Sequence, residues 1–93
     1  MKKVFVVSLL VNGILGGWII ADDEAITFKT GKFTVSLKYR HLEMRYSDIK
    51  DISTGSFLLL PTVTVNLKNG ESYNFIVYNR SRFIAVLNSK RIG

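Results

Sequence analysis

The alternation of apolar and polar residues is cleanest late in the chain. Val63, Val65 and Leu67 alternate with Thr62, Thr64 and Asn66, and Tyr73, Phe75 and Val77 alternate with Ser72, Asn74 and Ile76. A period of two puts successive side chains on opposite faces, so each run reads as a strand with one buried face. Asn69-Gly70 invites a two-residue hairpin turn, but that register would set Leu67 opposite Ser72 and Val65 opposite Asn74. A three-residue loop, Lys68-Asn69-Gly70, pairs Val65 with Tyr73 and Val63 with Phe75 instead. The pattern therefore predicts a type I turn with Gly70 in the left-handed position.

Upstream the period persists but the buried parity changes. Ile26 and Phe28 lie at even positions, whereas Phe33, Val35, Leu37 and Tyr39 alternate with Thr34, Ser36, Lys38 and Arg40 as a strand on odd positions. Either a bulge at Gly31 continues the strand or Thr30-Gly31 closes a tight hairpin. Leu42, Met44 and Tyr46 return to even positions, which a turn or second bulge around Arg40-His41 explains. Residues 49–53 form a short strand broken by Ser53-Thr54-Gly55-Ser56. The apolar run Phe57-Leu58-Leu59-Leu60 ends at Pro61, so the next strand is expected at or after Pro61. A strand buried on both faces, or a loop folded over a barrel mouth, is expected there ahead of an exposed partner contact. If the run is exposed, Phe57, Leu58 and Leu59 are the contact residues. Asn79 is a candidate N-cap for a helix to about Lys90. Its stripe of Phe83, Ile84 and Leu87 must dock on a sheet, and Lys90 and Arg91 offset the dipole at its end.

Residues 1–21 read at first as a signal peptide or membrane span: Met1-Lys2-Lys3, then 18 residues without charge. Ser8, Asn12, Gly13, Gly16 and Gly17 interrupt that run, and seven of its 18 residues are Val or Ile, which suit strands. A cleavage after Ala21 would also leave the bulky Ile19 where a small residue is preferred. Strands at 3–11 and 17–21, with a turn at 12–17, are the preferred reading. Beyond them, pairing Ile20 with Ile26 and Trp18 with Phe28 leaves Asp22-Asp23-Glu24 in an odd-numbered loop, with Asp22 or Asp23 left-handed. Three adjacent acids could hold a metal, but a solvated turn is the simpler account, and no metal site is expected.

Composition narrows the function classes. Ninety-three residues make one domain, 1–93, and 47% hydrophobic content supplies a core. There are no cysteines, so disulfides, thiolate metal sites and cysteine nucleophiles are excluded. The one histidine, His41, has no carboxylate or serine at motif spacing, and no glycine loop has the lysine and helix that cradle phosphate. The chain is expected not to be an enzyme and to need no cofactor. The net charge is +6, and Lys29, Lys32, Lys38 and Arg40 follow one another with no acid between them, then Arg45. On one rim they would attract anionic lipid by ~1 kcal/mol each.

The order of elements, about seven strands and then one C-terminal helix, resembles a pleckstrin-homology-like partly open barrel, mainly β and antiparallel. Within that group the chain is similar to the small bacterial GRAM domains. The likeness rests on Gly17-Trp18-Ile19-Ile20-Ala21-Asp22 with Ile26-Thr27-Phe28-Lys29, on Tyr46-Ser47-Asp48-Ile49-Lys50-Asp51-Ile52, on Lys68-Asn69-Gly70-Glu71-Ser72-Tyr73-Asn74-Phe75, and on Asn79-Arg80 before Phe83-Ile84. The resemblance implies a binding module for lipid or protein at membranes, cytoplasmic or peripheral. It departs from the phosphoinositide-binding form, whose first two strands carry lysines and arginines, because residues 4–21 carry no charge. The expected partner is an anionic membrane surface or a protein, bound through the basic segment 29–45. The alternative is a protein-interaction or self-assembly module using residues 57–60 or a sheet edge. A small nucleic-acid-binding barrel using Phe33, Tyr39 and Tyr46 ranks last, since the alternation turns those rings inward.

Overall fold

The structure, a computed structural model, describes residues 2–11, 13–32 and 37–90. Seven strands form one antiparallel sheet: β1 (Lys3–Leu10), β2 (Ile14–Ala21), β3 (Ala25–Lys29), β4 (His41–Arg45), β5 (Ile49–Phe57), β6 (Leu60–Leu67) and β7 (Ser72–Val77). A single helical turn, α1 (Leu37–Arg40), precedes β4, and the helix α2 (Arg80–Ser89) follows β7. The strand order is β4-β3-β2-β1-β7-β6-β5. The sheet curls into a half barrel that stays open between β4 and β5, and this is the pleckstrin-homology-like, partly open arrangement.

The concave face holds the core. Phe5, Val7, Leu9, Ile19, Phe28, Met44, Val63, Val65 and Phe75 are all buried there. Phe28 and Phe75 meet at 5.6 Å between ring centroids across the two halves of the sheet. Helix α2 closes the hollow with Phe83 and Leu87, both fully buried, and Phe83 meets Phe5 edge-on at 5.1 Å. Packing on that stripe is what holds a ten-residue helix that would be marginal alone. Asn79 does precede the helix, though its side chain makes no cap hydrogen bond.

The β6–β7 hairpin has the predicted register, Val65 opposite Tyr73 and Val63 opposite Phe75. Gly70 has φ +95°, and its N–H donates to the Leu67 carbonyl at 3.1 Å while Leu67 N–H donates to Glu71 at 2.8 Å. Lys3–Leu10 and Ile14–Ala21, within the stretch that read at first as a signal segment, are two paired strands, β2 beginning at Ile14 rather than at 17.

Other expectations are corrected. In the β2–β3 hairpin Ile19 faces Phe28 and Ala21 faces Ile26, while Trp18 lies opposite Lys29 and Ile20 opposite Thr27. The pairing is thus one residue away from Trp18–Phe28 and Ile20–Ile26. The cause is Gly17: it sits on the inward face, where a Cβ would overlap the Lys29 carbonyl oxygen and lie 2.9 Å from the Phe28 ring. With Gly17 inward, Leu15, Ile19 and Ala21 are inward too, and Trp18 faces out. The loop is accordingly even-numbered: Asp22 N–H donates to the Ala25 carbonyl at 3.0 Å. Among the described residues no left-handed aspartate is needed, because Asp22 Oδ1 accepts from Glu24 N–H at 2.8 Å and Ala25 N–H at 2.9 Å.

Residues 37–40 are helical, not extended; the remainder of the predicted strand, 33–36, lies outside the described residues. The turn lets Lys38 reach the β6–β7 hairpin while Tyr39 packs on the core edge. The link from β3 to β4 is neither a bulge nor a tight hairpin, since Lys29 is paired with His41. Ser53-Thr54-Gly55-Ser56 does not break β5, which pairs with β6 from Asp51 to Phe57 without interruption. An edge strand exposed on both faces has no need of apolar alternation. Strand β6 starts at Leu60, ahead of Pro61; β7 reaches no further than Thr62, so no strand on that side lacks a proline N–H.

Candidate interaction surfaces

The basic segment is not all gathered on one rim. Lys29 ends β3 opposite His41, while Arg45 lies opposite Ala25 at the other end of β4, about 13 Å along the strand. Arg45 donates to Glu24 at 2.9 Å. Lys38 donates to Glu71 at 2.9 Å and stands 5.4 Å from the Tyr73 ring centroid. That hydrogen bond, with others from Asn69 and Tyr73, holds the Glu71 carboxyl below its usual range, and Glu71 together with Tyr73 raises the Lys38 ammonium. Lys32 is exposed in the connection after β3, and Arg40 is half-buried in α1. Lys38 and Arg45 are therefore neutralised locally, and Arg45 is remote from Lys29.

The acid turn is equally engaged. Asp22 caps its own turn, and those backbone N–H groups depress its carboxyl. Asp23 lies 3.6 Å from Lys90 Nζ. Tyr46, whose hydroxyl donates to the Asp22 carbonyl at 2.8 Å, is pushed up to about 12 by burial and by the neighbouring aspartates. The open side of the half barrel forms a cleft of about 480 Å³ between β4 and the β6–β7 hairpin, floored by Leu42, Met44 and Leu67.

The two largest apolar features lie elsewhere. The first is the convex face of β1 and β2. Val4 pairs with Ile20, Val6 with Trp18 and Leu10 with Ile14. Val4, Val6, Ile14 and Trp18 are 58%, 67%, 53% and 38% exposed. Together they present on the order of 400 Å² of apolar surface, a size that marks contact sites. Lys29 borders this face beside Trp18, and Glu43 borders it beyond Thr27.

The second is the tip of the β5–β6 hairpin. Phe57 pairs with Leu60 around the two-residue turn Leu58-Leu59, whose φ values are 49° and 68°. A two-residue hairpin turn favours positive φ at both positions, which normally selects Asn and Gly; leucine there costs roughly 1 kcal/mol per residue. Leu58 is 78% exposed and Leu59 97%, so neither burial on both faces nor a cover over the barrel is realised. Of the two expectations the exposed contact, Phe57, Leu58 and Leu59, is the one whose geometry is present. Arg80 braces the hairpin, donating to the Gly55 carbonyl at 2.8 Å.

Sequence reasoning assigned Trp18 and Ile20 to the core and so missed the convex face. A signal was available: residues 4–7 are all apolar, which means apolar side chains on both faces of a strand. One C-terminal helix can cover only one face.

No protein-family model matches the chain, and no curated protein matches it. Among solved structures, the C-terminal domain of an unknown protein from Leishmania infantum is similar, with a TM-score of 0.77 and 15% sequence identity over 95% of this chain and 80% of that one. At this identity the likeness concerns the fold alone.

Proposed function

We propose that this chain is a non-catalytic protein-docking module whose contact surface is the convex face of β1 and β2. One observation carries the reading: residues 4–21 hold no charge, and Val4, Val6, Ile14 and Trp18 are exposed on the same face of β1 and β2, with the Ser8–Gly16 pair between Trp18 and Ile14. Burying that face would contribute on the order of 10 kcal/mol before the entropy of association is subtracted, which is ample for a specific complex. Of the two roles that the GRAM resemblance implies, protein binding is the better supported. An anionic membrane needs clustered free cations, whereas Lys38 is paired with Glu71 and Arg45 with Glu24, and Arg45 lies at the far end of β4 from Lys29. Glu43 and the acid turn at one end of the convex face would also be repelled by anionic headgroups.

A photoreactive residue in place of Val6 tests this in cells that express the chain. A discrete adduct of higher mass is expected, and Trp18→Glu should remove it. In parallel, the chain should stay in the supernatant with neutral and anionic vesicles at low and high salt. Sedimentation with anionic vesicles that Val6→Glu abolishes would replace the protein reading with a membrane one. Absence of any adduct would sink the docking role of this face.

A further inference from the structure

The sheet has two edges, and they are finished differently. Strand β4 is five residues long and carries His41, Glu43 and Arg45, the last in an ion pair with Glu24. Short length and charge are the usual protections of an edge against unwanted pairing. Strand β5 is nine residues long, and only its beginning is protected, by Lys50, Asp51 and a register shift between Ile49 and Asp51. From residue 52 to residue 67 there is no charged side chain, and residues 53–57 are exposed along the whole outer edge of β5. One row of backbone donors and acceptors along that stretch faces no strand among the described residues.

We infer that β5 pairs with β5 of a second copy of this chain, independently of the convex face. The occupant follows from charge and symmetry. Each copy carries a net charge of +6, so two copies approach most easily along a strip without charge, and residues 52–60 are such a strip at a sheet edge with unpaired backbone groups. A two-fold axis normal to the sheet makes the paired strands antiparallel, and keeping outward residues outward requires one residue to lie on the axis. Gly55 is the position that keeps Lys50 and Asp51 outside the paired stretch. Thr54 then lies opposite Ser56 of the partner subunit, and Ser53 opposite the partner's Phe57. The Phe57 ring reaches diagonally over the partner's Gly55, an arrangement in which an aromatic side chain compensates for the missing glycine side chain. Leu58, now 78% exposed, comes beside the partner's Ile52. Five paired residues and two apolar tips make an interface below about 1,200 Å², so association is weak, with Kd in the micromolar range.

Sedimentation equilibrium on the full chain from about 1 μM to about 500 μM tests the pairing, and wild type should shift from monomer to dimer over that range. Thr54→Lys with Ser56→Lys places lysine opposite lysine and should leave a monomer throughout, with an unchanged circular dichroism spectrum. Thr54→Lys with Ser56→Glu restores opposite charges across the axis and should restore the dimer. The cysteine-free chain offers a register test as well. A Cβ at Gly55 stands 3.3 Å from Thr62 Oγ1, a contact that a shift of a few tenths of an ångström at the edge of the sheet relieves, so Gly55→Cys is tolerated. Residues directly opposed on an antiparallel pair lie roughly 4.5–5.5 Å apart at Cα, within disulfide reach, so this variant should oxidise to a covalent dimer. Ser47→Cys, on the turn between β4 and β5, should not. A wild type that stays monomeric, a dimer indifferent to the lysine pair, or equal crosslinking of the two cysteine variants would each overturn the inference. None of those outcomes bears on the convex face, since no β1 or β2 residue is altered.

Discussion

The convex surface of the sheet is polar over β5 to β7 and apolar over β1 and β2. On the polar side the outward residues satisfy one another: Asn66 donates to Asp51 at 2.7 Å, Ser72 to Asn66 at 2.7 Å, and Thr64 to Asn74 at 3.1 Å. On the apolar side the outward residues are Val4, Val6, Leu10, Ile14, Trp18 and Ile20, interrupted only by the Ser8–Gly16 pair. Both regions have the same backbone pairing and the same core beneath them. Fold stability therefore does not ask for the apolar convex residues. Cross-strand hydrogen bonds would serve a solvent-facing surface, as they do over β6 and β7. Valine and tryptophan kept facing water are better explained by what covers them.

The comparison breaks most visibly at Gly17. Gly17→Val would drive a side chain into the Lys29 carbonyl and the Phe28 ring, and a loss of about 3 kcal/mol in urea unfolding is expected. A variant as stable as wild type would mean that β2 faces the other way and that Trp18 belongs to the core. Next in size, Thr64→Val leaves the half-buried Asn74 without its donor and should cost about 1 kcal/mol. Val6→Thr, the chemically similar change on the apolar side, should alter stability by less than about 0.5 kcal/mol because Val6 is 67% exposed. Equal losses at the two positions would remove the contrast.

The smallest effect concerns pH. Asp22 is depressed by the Glu24 and Ala25 backbone N–H groups, so its folded form binds a proton less readily than its unfolded form. The stability this contributes is complete above the ordinary carboxylate range, near 4, and is lost as pH falls through the lower folded value. Acid should therefore loosen the β2–β3 turn ahead of β5 and β6, whose residues 52–67 do not titrate. Hydrogen exchange at pH 3 and pH 6 checks the order, and Asp22→Ala should abolish the difference at residues 24 and 25.

Much of the fold was readable because strands advertise themselves locally. The β6–β7 register followed from side-chain parity alone, since only a three-residue loop aligns Val63 and Val65 with Phe75 and Tyr73. The helix stripe was equally plain. Errors arose where local pattern underdetermines the answer. Residues 18–20 are apolar at three consecutive positions, so either parity could be inward, and a contact between Gly17 and a residue eleven positions away decided it. Leu37 to Arg40 alternate like a strand, yet form a turn whose Lys38 is drawn to Glu71, 33 residues away. The basic segment looked continuous in sequence, but β4 runs Arg45 away from Lys29.

The class of fold, the β6–β7 register and the docking stripe of α2 were settled by the amino-acid sequence. These depend on periodicity and on turn chemistry, which act over a few residues. Tertiary structure alone decided which face of β1 and β2 meets water, which cations share a neighbourhood, and which edge of the sheet lies unguarded. Those are properties of surfaces built from segments distant in sequence, and they exist only once the sheet has curled and its single helix has chosen the concave side.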